Sequence, residues 1–176
     1  MTDPTRIRTG DLTGNRRRPF DLTPDQAARD ALAADLGLLA LGQVRLLGEL
    51  RPSGRADVAL TARLTAQAVQ ACVVTLAPVP CTVDVAVSRH YVADWKDPEG
   101  DEAEIPEDDT REPLPETVNL SDVLAEALAL ALPDYPRAPG AELGQAVFTA
   151  PGVEPLKDEA PKPFAGLAAL KSLLKE

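Results

Sequence analysis

Between Gln43 and Tyr91 hydrophobic residues recur at every second position in three successive runs, a period that places them on one face of a β-strand. In the first run Val44, Leu46, Gly48 and Leu50 alternate with Gln43, Arg45, Leu47 and Glu49. After a turn at Pro52-Ser53-Gly54, Val58, Leu60, Ala62, Leu64, Ala66, Ala68, Cys72 and Val74 share a face broken only by Gln70, and Thr61, Arg63, Thr65 and Gln67 take the other. A run this long predicts a bulge or bend part-way. Pro78 and Pro80 close it, and Val83, Val85, Val87 and Tyr91 then alternate with Thr82, Asp84, Ser88 and His90. The expected fold is α+β: an antiparallel β meander whose one apolar face is covered by two or three helices.

Helical signals flank these runs. Thr23-Pro24-Asp25-Gln26 reads as a capping box with Thr23 as N-cap, opening a helix that ends near Leu36 at Gly37 and carries a stripe of Ala27, Ala28, Ala31, Leu32 and Leu36. A second helix is expected from Asn119 or Ser121 to Pro133, with Val123, Leu124, Ala127, Leu128 and Ala131 at helical spacing. The resulting organisation is a flexible basic arm over residues 1–20, a core domain over 21–132 containing an acidic mobile loop at 94–118, a linker over 133–163, and a C-terminal amphipathic helix over 164–176.

Charge is distributed unevenly. The chain carries a net charge of −10, yet residues 94–116 alone hold eleven acidic residues against Lys96 and Arg111, so almost all the excess lies in one segment. Residues 1–20 hold five arginines against Asp3 and Asp11. Two cysteines, Cys72 and Cys81, do not make a secreted disulfide framework and match no common zinc spacing. With no apolar leader and no run long enough to span a bilayer, a cytoplasmic setting is expected.

Few residues suggest chemistry. Cys72 and His90, the sole histidine, are the one combination that resembles a cysteine nucleophile and its base, but Cys72 falls on an apolar strand face, where an unpaired cysteine is ordinarily an inert core residue. Cys72, Cys81 and His90 fall short of the four ligands of structural zinc, and Asp97, Glu99 and Asp101 begin a calcium-like loop that lacks its glycine and its final glutamate. No enzyme and no cofactor are expected. Contact residues are more plausible: Arg16, Arg17 and Arg18 beside Phe20, weighed against a merely solvated arm, Arg63 and Arg89 in the strands, weighed against ion pairing, and Asp108 and Asp109 in the acidic segment, weighed against a solvating role.

Three blocks carry a resemblance to a known family: residues 69–78, VQACVVTLAP; Val118-Asn119-Leu120 followed by EALALALP and Pro136; and residues 163–170, PFAGLAAL. In this order the blocks resemble the YceD family of large ribosomal RNA subunit accumulation proteins, with Cys72, Thr75, Leu76, Pro78, Phe164, Leu167 and Leu170 as signature positions. Many members of that family carry a second cysteine where this chain has Thr75, and a further Cys or His-Cys pair past the Leu-Pro segment, where residues 134–145 have none, so a metal role is not carried over. The resemblance implies a bacterial ribosome-biogenesis factor that supports accumulation or processing of large-subunit (23S) ribosomal RNA without catalysis. Its implied partner is that RNA or a basic ribosomal protein, with no membrane and no DNA involved.

Overall fold

The structure is a computed structural model, and it describes residues 5–12, 16–95, 110–142 and 144. The chain divides into two units, Met1–Ala141 and Glu142–Glu176, and the elements below all belong to the first. In chain order they are β1 (Arg6–Arg8), a short 3-10 turn (Thr9–Asp11), β2 (Arg18–Leu22), α1 (Gln26–Asp35), β3 (Ala40–Ser53), β4 (Asp57–Ala71), β5 (Pro78–Val92), β6 (Arg111–Pro113), β7 (Thr117–Asn119) and α2 (Leu120–Ala131).

The three alternating runs fold as read, into the long hairpins β3–β4 and β4–β5. They form the centre of a five-stranded sheet of order β2-β3-β4-β5-β6, antiparallel except for β6, which runs parallel to β5. The irregularity expected in β4 lies in its neighbour: the register slips between Leu41 and Val44, while β4 runs unbroken to Ala71. Gly42 sits at this bulge, where a Cβ would come within 3.3 Å of the Gln67 carbonyl oxygen, so β3 yields and β4 stays regular. Cys72 and Val74 accordingly lie past the end of the strand rather than on its face.

One hydrophobic cluster unites Leu46, Leu50, Leu60, Leu64, Val83, Val87 and Tyr91 on the sheet with Leu120, Val123, Leu124, Ala127 and Leu128 of α2. Each fully buried leucine contributes about 1.5–3 kcal/mol, which is how a core with almost no aromatics holds together. Helix α2 packs on β4 and β5, and Asn119 caps it by accepting the Ser121 N–H. Helix α1 packs on β3. Its N-cap is Asp25, not Thr23, because the Asp25 carboxylate accepts the Ala28 N–H at 2.9 Å. Its inward side is Leu32, Ala33 and Leu36, whereas Ala27, Ala28 and Ala31 remain exposed. The opposite face of the sheet stays open to solvent, as an antiparallel sheet allows.

Two stretches expected as mobile chain contain regular structure. Within residues 1–20, β1 pairs with β7 and β2 extends the sheet along β3. The period-two signal there is only three to five residues long, too short to register in the sequence. Within residues 94–118, β6 and β7 are strands, and residues 96–109 lie outside the described residues.

Candidate functional site

Strand β1 is the tripeptide Arg6-Ile7-Arg8, and alternation fixes its orientation: Ile7 turns inward and is 8% exposed, so Arg6 and Arg8 project together to the other side. The strand is held by its ladder to β7, by the Leu120 N–H donating to the Thr5 carbonyl at 2.8 Å, and by the Thr9 hydroxyl donating to the Pro115 carbonyl at 2.8 Å. Leu12 is buried and anchors the turn that follows. Arg16, Arg17 and Arg18 then run into β2, whose register pairs Arg18 with Leu50. Between these two stretches opens a cleft of about 580 Å³, lined by Arg6, Arg8, Arg16, Arg17, Arg18 and Asp11 among others.

The cleft's charge is little compensated. Arg17 reaches Glu49 at 3.3 Å, and among the described residues Arg6, Arg8, Arg16 and Arg18 have no carboxylate within ion-pair distance. Arg55, on the β3–β4 turn, lines an adjoining cleft that shares Leu12 with the first. The expected run Arg16–Arg18 is thus half of a site whose other half, Arg6 and Arg8, the sequence reading missed. The available signal was an apolar residue between two arginines, which takes meaning only once β7 is known to pair with it.

Three other arginines have structural tasks. Arg63, on the solvent face of β4, donates from Nε and Nη2 to the two carboxylate oxygens of Asp84 at 2.6 and 2.7 Å. That pairing holds the Asp84 carboxyl below its ordinary range and raises the guanidinium. Arg45 and Asp21 do the same between β3 and β2. Arg89, sharing the face of Val85 and Val87, is only 13% exposed and bridges Glu112 of β6 at 2.9 Å and Glu126 of α2 at 2.7 Å. Burial pushes the Glu112 carboxyl up against the opposing pull of Arg89, and pushes the Tyr91 phenol up to about 12. Arg89 therefore ties edge strand, sheet and helix together.

Cys72 opens the turn after β4 and has no solvent-accessible surface. Its Sγ accepts the N–H groups of Ala138 at 3.3 Å, Val74 at 3.4 Å and Thr75 at 3.5 Å. Those donors, that of Ala138 foremost, lower the thiol to about 6. The turn is closed by Cys72 N–H to the Ala77 carbonyl and Leu76 N–H to the Cys72 carbonyl, and Val73 N–H donates to Pro136. Leu76 adopts a left-handed φ of 59° with its side chain 75% exposed, Thr75 is exposed, and Pro78 begins β5. His90 stands near the other end of β5, twelve residues from Pro78 and so roughly 35–40 Å along the strand. The Cys72–His90 combination cannot form, and no cluster of metal-binding side chains occurs among the described residues. Asp108, Asp109, Phe164, Leu167 and Leu170 lie outside the described residues.

No curated protein and no solved structure matches the chain. The family model of the large ribosomal RNA subunit accumulation protein YceD matches residues 60–171, which takes in nearly all of β4, the Cys72 turn, β5 and α2. Since that match covers well over half of the chain and contains the turn at Cys72-Val73-Val74-Thr75-Leu76, this protein belongs to the YceD family of large ribosomal RNA subunit accumulation proteins.

Proposed function

We propose that the protein is a cytoplasmic, non-enzymatic ribosome-biogenesis factor that supports accumulation and processing of large-subunit (23S) ribosomal RNA. Family membership over residues 60–171 carries this reading. The chemistry of the fold supports a binding role: the one strongly acidified thiol is sealed from solvent, and a cleft lined by arginines opens beside β1. Depleting the protein from its host should lower mature large-subunit RNA and raise its precursors, read by blotting or sequencing of RNA ends. An unchanged ribosomal RNA profile would overturn the proposal.

A second reading is an adaptor that holds a basic ribosomal protein through the acidic segment, favoured by its eleven acids against two basic residues. Glu112 is taken up by Arg89, so the residues to change are Asp108 and Asp109. Under this reading Asp108→Asn with Asp109→Asn weakens recovery of the protein client and leaves RNA recovery intact.

A further inference from the structure

We infer that the arginine-lined cleft between β1 and the approach to β2 holds the phosphodiester backbone of RNA. The inference rests on the proposed role in ribosomal RNA accumulation and specifies the contact surface for it.

The first argument is local charge. Five arginines face one opening with Asp11 as the acid in its lining, and Arg17 alone has a partner, Glu49, across the neighbouring strand. Elsewhere in the described structure Arg45 pairs with Asp21, Arg63 with Asp84 and Arg89 with Glu112 and Glu126, while Arg51, Arg55, Arg111 and Arg137 make no ion pair but are not part of this cleft's lining. What sets the cleft apart is concentration: in a chain of net charge −10, four arginines without a carboxylate partner among the described residues line one opening, and their summed field favours an anion there.

Geometry supplies the second argument. Arg6 and Arg8 stand two residues apart on one side of a strand, about 6.6 Å, which is close to the spacing of successive phosphates along a nucleic-acid strand. Across the opening, Arg16, Arg17 and Arg18 line the cleft where the chain enters β2. Guanidinium groups match phosphate oxygens with paired donors, and they keep their charge at every physiological pH. Among the described residues no aromatic side chain lines the cleft, so they offer no platform on which bases would stack. The contact is therefore to backbone, without sequence readout.

A third observation separates the cleft from the family scaffold: its five arginines precede residue 60, where the family match starts.

The test uses the full-length protein and a labelled in vitro transcript of large-subunit ribosomal RNA, titrated by fluorescence anisotropy over a salt series. Four guanidinium contacts predict a slope of log affinity against log salt of about −3. Arg6→Gln with Arg8→Gln should weaken binding about tenfold or more and flatten that slope by about 2. Arg45→Gln with Arg63→Gln changes net charge equally on the sheet face and should bind as the wild type does. Arg16→Gln with Arg18→Gln tests the other wall, and serves if the first variant fails to fold. Equal losses in the cleft and sheet-face variants would overturn the inference. So would preference for polyglutamate over the transcript, or no RNA binding at about 50 mM salt. Failure here leaves the depletion phenotype untouched, and a normal ribosomal RNA profile on depletion leaves the cleft's measured affinity standing.

Discussion

Arginine does opposite work at the two ends of this unit. Around the sheet, Arg45, Arg63 and Arg89 are each fastened to carboxylates on neighbouring elements, and the most buried of them, Arg89, joins β6 and α2 to β5. At the amino-terminal cleft, Arg6, Arg8, Arg16 and Arg18 meet no carboxylate among the described residues. Arg89, 13% exposed, needs its counter-charges because burial strips its water, whereas Arg45 and Arg63 pair at the surface and the cleft arginines keep both hydration and charge for a visitor. The comparison teaches that composition is a poor guide to partners here: a chain of net charge −10 presents a concentrated cationic opening among its described residues.

Perturbing the sheet should damage stability and perturbing the cleft should not. The largest effect is expected at Gly48, where β2, β3 and β4 lie side by side and an added Cβ would collide with the Thr61 carbonyl oxygen and the backbone of Ala62. Backbone cannot swing aside as a side chain can, so Gly48→Val should cost more than about 3 kcal/mol or abolish folding, as read by urea denaturation. A loss below about 1 kcal/mol would mean that the strands separate freely there. Next comes Arg89→Ala, which leaves Glu112 and Glu126 facing each other without their shared cation. Both carboxylates are partly exposed, so the expected loss is about 2 kcal/mol, below the full value for a buried pair. Arg63→Ala, on the solvent face, should shift the same melt far less, and equal losses would erase the distinction between fastened and merely adjacent charges.

A separate expectation, read against pH rather than by truncating a contact, concerns Cys72. Its thiol is held at about 6 in the folded protein against an ordinary value of 9.0. Between those values the unfolded chain binds a proton that the folded chain does not, so stability rises with pH across this window and is lost as pH falls through 6. Urea midpoints measured across that range should climb for the wild type and climb less for Cys72→Ala. Parallel curves would show that the N–H groups of Ala138, Val74 and Thr75 do not hold a thiolate.

Much of the scaffold was legible in the sequence because its signals are local and long. The period of two runs through β3, β4 and β5, and α2 announces itself by Asn119, its stripe and Pro133. Arg89 was readable as a charge on an apolar face, either at the sheet edge or paired with a carboxylate, and the structure supplies two carboxylates. The cleft was half legible, as the run Arg16–Arg18. What remained hidden depends on distant partners. Arg6 and Arg8 become a wall because β1 pairs with β7, a junction that joins Thr9 to Pro115 across 106 residues of chain. Glu112 and Glu126 become counter-ions because β6 returns parallel to β5 and α2 lies across it.

The sequence by itself determined the three long strands, the second helix and the family, since backbone periodicity, capping and short motifs are properties of neighbouring residues. Only the tertiary structure decided which charges are spent and which are free. Charge compensation acts through space at a few ångströms, and nothing in the local order of residues records which segments will be brought that close.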